Sequence, residues 1–380
     1  MYNFDFHNPT QILFGRDREV EIAQHLKHAG IDRVLLVCGG ASARRSGLID
    51  RIALALSQEA ITYAEHGGVK SNPVLTHAQK GVELAREFGA QAIVPIGGGS
   101  VYDEAKAIAV GALDGGDLWR FYTGTEITRA LPVFGILTLA ASGSEMNGNS
   151  VLTNEATQQK YSFSSIHTYP KLSILNPALT ATVPADYTAY GAVDAIAHLI
   201  EGYFTKAPGT HLQDELVETL IRSVMRSSQK VLDKPDDYEG RAELMWAATL
   251  ALNGLTPAGI GAYAFPNHAI EHAISALHDV AHGAGLAVVI PAWMRWHRHQ
   301  NPVQYGRFAK MIFGVESADA GVNALEAWFR AIGAPTRLGQ LGIGADEIAP
   351  IAQNAARLCA DWRLSEYDEA TVTAILRGAL

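Results

Sequence analysis

Cysteine is almost absent: Cys38 and Cys359 stand far apart in a chain of 380 residues. Two distant thiols cannot build a disulfide framework, so a reducing compartment, the cytoplasm, is the expected setting. Long apolar runs are missing too. Nothing approaches the roughly 20 residues that span a bilayer, and the apolar run Leu286 to Met294 suits a buried segment. The opening stretch, Met1 to Gly15, has neither the basic start nor the apolar core of a signal peptide. No basic run interrupts an acidic balance of −9, and a nucleic-acid partner would need a concentrated basic face. With 48% hydrophobic and 18% charged residues, the chain reads as a soluble protein of two domains, without repeats.

The two halves follow different patterns. Up to about residue 180, short β-rich runs alternate with helical stretches. The runs are 33–37, 91–96, 131–137 and 172–175, and Thr76 to Phe88 between them is helical in its apolar spacing. Strands alternating with helices predict βαβ units and a parallel sheet. After Pro184 the stretches 187–203, 211–229, 240–252 and 267–277 all read as helices, and the tail continues so. The expected organisation is an α/β, Rossmann-like domain over 1–182 and an all-α domain over 183–380.

Glycine-rich turns follow the predicted strands. Gly97-Gly98-Gly99-Ser100 opens a helix, where a phosphate can approach the backbone and meet unpaired N–H groups. Asp103 and Lys106 follow at positions that can face the same mouth. Thr138 to Glu145 is a second small, hydroxyl-rich turn, where ligands collect in open α/β sheets. The G-x-G-x-x-G fingerprint is absent after the first strand. Cys38-Gly39-Gly40-Ala41-Ser42-Ala43-Arg44-Arg45 stands there instead, with no carboxylate to take ribose hydroxyls. Gly39 and Gly40 leave room, and Ser42, Arg44 and Arg45 can meet a 2′-phosphate, so NADP is the expected cofactor. A solvated loop with two surface arginines is the plainer alternative.

The second half carries histidines in pattern. Asp194 and His198 lie four apart on one helix face, His268 and His272 repeat that spacing, and His282 follows. Burying several imidazoles and a carboxylate without a partner costs several kcal/mol, and a shared Fe²⁺ or Zn²⁺ removes that difficulty. Spacing alone does not choose the ligands. His7, His25, His28, His66, His77, His167, His211, His278, His297 and His299 show no comparable pattern and are expected to be structural or exposed; His278, between candidate ligands, is the hardest of these to set aside.

These residues resemble the iron-containing alcohol dehydrogenase family, in its NADP-dependent butanol dehydrogenase or aldehyde reductase branch. The resemblance runs from Phe4 to Gly15 through Gly68 to Pro73, Gly97 to Asp103 and Thr138 to Glu145, and ends in the Asp194/His198 and His268/His272/His282 pairs. It implies a fold shared with dehydroquinate synthase. It also implies that Asp194, His198, His268 and His282 bind Fe²⁺, with Zn²⁺ a rival, and that His272 acts beside the metal and nicotinamide as the catalytic relay. Asn72, Gly99, Ser100, Thr138, Ser142 and Lys160 match dinucleotide contacts, with Ser142 in place of a threonine common in relatives. NAD-specific members carry an Asp in the first glycine turn, where this chain has Gly39-Gly40. The implied activity interconverts primary alcohols and aldehydes, and a homodimer is the expected assembly. The pocket would include Asn147, Asn149 and Phe265. A glycerol dehydrogenase, a dehydroquinate synthase-like lyase, or a nucleotide-binding protein with a structural metal are the alternatives.

Overall fold

The computed structural model describes residues 1–380. They form two compact units, His7–Thr182, and Val183–Leu380 together with Met1–Phe6.

The first unit is built on β1 (Gln11–Phe14), β2 (Arg33–Cys38), β3 (Thr62–Gly67), β4 (Ala92–Gly97) and β5 (Phe134–Leu137). A hairpin, β6 (Asn149–Asn154) with β7 (Gln159–Ser164), precedes the last strand, β8 (Leu172–Leu175). Apart from the hairpin, all strands pair parallel in the order β1-β8-β5-β4-β2-β3. Strand β2 shows why its run is continuously apolar. Val34, Leu36 and Cys38 enter one core, while Leu35 and Val37 enter the core on the opposite face. A parallel sheet covered on both sides needs such a strand.

Register places the turns. Cys38 pairs with Ile96 and with Gly67, and Gly97 pairs with Leu137. The segments after β2, β3, β4 and β5 therefore leave one carboxyl edge of the sheet side by side. That edge is where open α/β sheets bind ligands. The runs read as strands from sequence all appear, although 131–133 contributes only an isolated bridge, Ile93 to Val133. Strands β1, β3 and the hairpin were not expected; β3 (TYAEHG) and the hairpin strands (NSVLTN, QKYSFS) are too polar to stand out.

The second unit is helical. Ala185–Thr205 is buried along nearly its whole length, as expected of a helix apolar on all sides. It packs against His211–Asp233, Tyr238–Ala251 and His282–His297, and the last of these packs against Pro266–His278. The first six residues join this unit rather than the first. Tyr2 N–H donates to Gly259 O at 3.0 Å, and Met1 and Phe4 cover Gly259, whose φ of +75° suits glycine. No helix is long and apolar enough to cross a membrane.

Candidate metal centre and nucleotide turns

Asp194 and His198 lie one turn apart on the central helix Ala185–Thr205, and both are buried. His268 sits in the first turn of Pro266–His278, and His282 begins His282–His297. The Asp194 Oδ1 is 3.5 Å from His198 Nδ1, 3.7 Å from His268 Nε2 and 3.6 Å from His282 Nε2. Ligand bonds of about 2.1 Å in a tetrahedron put donors about 3.4 Å apart. Donor atoms of Asp194, His268 and His282 lie within 4.8 Å of one another. His198 stands beside this trio, its ring stacked on His268 with centroids 4.5 Å apart.

Three of these atoms, Asp194 Oδ1, His198 Nδ1 and His268 Nε2, are buried without a hydrogen-bond partner. Buried polar atoms are rarely left so, because each orphan loses its hydration. A divalent cation held by Asp194, His268 and His282 would satisfy Asp194 Oδ1 and His268 Nε2, so this trio fits one, with His198 beside it.

Two further carboxylates decide which nitrogens face inward. Glu201, seven residues after Asp194 on the same helix, is fully buried and bonds His268 Nδ1 with its Oε2. Its Oε1 accepts the backbone N–H groups of Asn267, at 2.5 Å, and His268, at 3.3 Å. Glu271, also fully buried, bonds His282 Nδ1 through Oε2 and accepts from Ser275 Oγ. A carboxylate at Nδ1 holds the proton there, leaving the Nε2 lone pair toward Asp194. Sequence reasoning missed both glutamates. The i, i+7 spacing from Asp194 to Glu201 and the i, i+3 spacing from His268 to Glu271 were the available signals.

The electrostatics agree. Burial alone would raise the Asp194 carboxyl, yet His198, His268 and His282 hold it well below the usual range. Burial pushes His198 down to about 4, aided by His268, keeping its imidazole neutral. At His268 burial acts downward, but Glu201 and Asp194 outweigh it and raise the imidazole. Both carboxylates therefore favour positive charge at this centre.

The glycines of His282-Gly283-Ala284-Gly285 have steric reasons. A Cβ on Gly283 would lie 2.1 Å from Tyr190 O, where the helix starting at His282 abuts the central helix. A Cβ on Gly285 would lie 2.8 Å from Glu271 Oε1. His272 is buried, with its ring centroid 5.6 Å from that of His282 and 5.8 Å from that of Trp362. His278 turns elsewhere, with Nε2 3.6 Å from Glu347 Oε2. A cavity touching His198 is lined also by Gly202, Val217, Ile260, Tyr263 and Phe265.

In the first unit, Gly97 to Ser100 lie at the junction of β4 and the helix Gly99–Asp114. A Cβ on Gly99 would lie 2.1 Å from Ser142 Oγ, and one on Gly98 would lie 3.1 Å from Leu139 Cβ. Those glycines let the Thr138 to Glu145 turn approach the helix start. Asn72 is buried, and its Oδ1 accepts from Lys160 Nζ at 3.0 Å. Ser100 Oγ donates to Ser71 O.

One sequence expectation changes here. Lys106 faces no mouth: it is fully buried and donates to Ser144 O and Oγ, both at 2.7 Å, and to Asn149 O at 2.8 Å. Asn147 Oδ1 accepts from it as well, at 3.3 Å. Asp103 accepts from Ser144 Oγ at 2.6 Å and from Val151 N–H. Burial pushes Asp103 up to about 6 against the pull of Lys106, and lowers Lys106 to about 8 against the pull of Asp103. These residues, with Asn147 and Asn149, hold the second turn in shape.

The turn after β2 is open. Nothing lies within 4 Å of a Cβ on Gly40, and only ordinary contacts meet one on Gly39. Ser42, Arg44 and Arg45 are exposed, and Arg44 pairs with Glu65 of β3.

Comparison with known proteins accords with this arrangement. Residues 9–177 match the family model "Iron-containing alcohol dehydrogenase", and residues 188–380 match "Fe-containing alcohol dehydrogenase family, C-terminal". The probable NADH-dependent butanol dehydrogenase 1 of Bacillus subtilis is 38% identical over 390 residues, covering 100% of both chains. The NADPH-dependent aldehyde reductase YqhD of Escherichia coli is 34% identical, over 92% of this chain and 91% of that protein. The crystal structure of NADH-dependent butanol dehydrogenase A from Thermotoga maritima superposes with a TM-score of 0.96 at 43% identity, covering 100% of this chain and 99% of the other. This chain belongs to the iron-containing alcohol dehydrogenase family and is an alcohol or aldehyde oxidoreductase.

Proposed function

We propose that the protein reduces short aldehydes with NADPH, and runs the reverse oxidation of primary alcohols, at a centre formed by Asp194, His198, His268 and His282. The observation that carries the reading is the approach of three imidazoles to one buried carboxylate oxygen, at 3.5 to 3.7 Å, with Asp194 Oδ1, His198 Nδ1 and His268 Nε2 buried without a hydrogen-bond partner. Iron agrees with the family, and zinc would accept the same donors. A divalent cation there supplies Lewis acidity to a carbonyl oxygen, and the nicotinamide supplies the hydride.

The residues have separable tasks. Asp194 brings the one ligand charge, and the three imidazoles bring neutral lone pairs. Glu201 and Glu271 hold the protons of His268 and His282 on Nδ1. His272, buried beside His282, is our candidate to return a proton through a ring nitrogen. The mostly apolar cavity at His198, walled by Val217, Ile260 and Phe265, suits a short alkyl chain. In the first unit, the backbone N–H groups that open the helix Gly99–Asp114 suit a pyrophosphate. For the 2′-phosphate, support comes from the absence of a carboxylate between Gly39 and Arg45 and from the exposed Ser42, Arg44 and Arg45. The pairing of Arg44 with Glu65, and the NADH in several relatives' names, favour NADH as the second reading.

NADPH oxidation with butanal and a panel of short aldehydes is expected to vanish on chelation and to return with added Fe²⁺ or Zn²⁺. Turnover that survives complete removal of metal would sink the reading. Glu201→Gln keeps the shape but presents an amide N–H to His268 Nδ1, driving the imidazole proton onto Nε2. Cation affinity should fall about 10- to 100-fold, measured by competition with a chelating dye; unchanged affinity would remove Glu201 from the centre. A Cβ at Gly39 meets only ordinary contacts, so Gly39→Asp tests the cofactor turn without forcing its backbone. The ratio of kcat/KM for NADPH over NADH should drop at least about tenfold, equal to 1.4 kcal/mol. An unmoved ratio would show that this turn does not read the 2′-phosphate.

A further inference from the structure

Two histidines set aside in the sequence come together inside the first unit. His66 lies near the end of β3, His77 in the first turn of Leu75–Phe88, and Glu104 on Gly99–Asp114. His66 Nε2 and His77 Nδ1 are 2.8 and 2.6 Å from Glu104 Oε1, and 3.2 Å from each other. We propose that His66, His77 and Glu104 form a second binding site for a divalent cation of the zinc class, independent of the Asp194 centre.

Glu104 carries the argument. It is fully buried, its ion-pair partners are these two imidazoles, and its Oε2 has no hydrogen-bond partner. On the other side of the His77 ring, Nε2 meets Gly67 O at 3.2 Å. A backbone carbonyl only accepts, so Nε2 bears the proton and the Nδ1 of a neutral ring is a bare lone pair. That lone pair then faces a carboxylate oxygen, and two acceptors at 2.6 Å require positive charge between them. Two imidazoles and a carboxylate are a zinc donor set, and a ligating histidine typically gives its other N–H to a carbonyl.

The dimensions allow it. Bonds of about 2.1 Å would widen the triangle to edges of about 3.4 Å, from the present 2.6 to 3.2 Å. His77 can make that adjustment, since its side chain is 25% exposed, and it also gives an ion a way in. Glu104 Oε2 or a water would complete the shell. An ion there would tie the end of β3, just before Gly68 to Pro73 with Asn72, to two helices.

The test counts ions. The full-length protein is equilibrated with Zn²⁺, dialysed, and assayed for zinc per chain by mass spectrometry. We expect two ions in the wild type, one in His77→Ala and in the milder His77→Gln, and one in Glu104→Gln. In all three variants the ion that remains certifies the fold. His282→Ala should also keep one ion, at His66, whatever becomes of the catalytic reading. A wild type whose only ion is lost in His282→Ala and kept in both His77 variants and in Glu104→Gln would overturn the proposal and leave a shared proton as the occupant. So would a second ion that persists in both His77 variants and in Glu104→Gln, since it would then sit elsewhere on the surface.

Discussion

Carboxylates without water govern the helical unit. Asp194, Glu201 and Glu271 are each at most 4% exposed, and histidines stand against all three. Anions in such surroundings are tolerated only when opposite charge and hydrogen bonds replace their hydration. That requirement orders the helices around them. The central helix supplies Asp194, His198 and Glu201 from successive turns of one face. The next two site helices begin where their first turns can present His268 and His282. Gly283 and Gly285 are small because Tyr190 O and the Glu271 side chain occupy the space a Cβ would take.

The same principle in weaker form shapes the nucleotide turns. Lys106 is a buried cation held by the carbonyls and hydroxyl of residues 144 to 149, with Asp103 bonded to the same serine. Breaking a buried charge network of this kind is strongly destabilising, so the turn after β5 is held by this network as well as by its own hydrogen bonds, such as Asn147 Nδ2 to Gly143 O. Rigid turns at one sheet edge suit a dinucleotide, whose binding depends on backbone groups already in place.

Much of this was legible in the sequence, for definite reasons. Asp194/His198 and His268/His272 repeat a four-residue spacing, which a helix converts into shared faces, and Gly97 to Ser100 follows an unmistakable buried strand. Glu201 and Glu271 lay on the same faces but passed unnoticed, because a glutamate on a helix is usually solvated. Lys106 was misplaced because a charged residue near a turn invites an exposed reading, and only the packed structure shows its acceptors. His66, His77 and Glu104 come from three elements, the outer two 38 residues apart, and only strand register and helix packing bring them together. The polar edge strand β3, which carries His66, was missed for the same reason as the hairpin: apolar alternation is weak where a strand has little core to face.

The central claim is that a cation sits among Asp194, His198, His268 and His282. Anomalous X-ray diffraction from crystals of the protein, collected on either side of the iron and zinc absorption edges, addresses it directly. The account predicts a peak within about 2.0 to 2.3 Å of the Asp194 carboxylate and of the His268 and His282 Nε2 atoms. A fully ordered site with no anomalous peak there, in protein that turns over aldehyde, would contradict it.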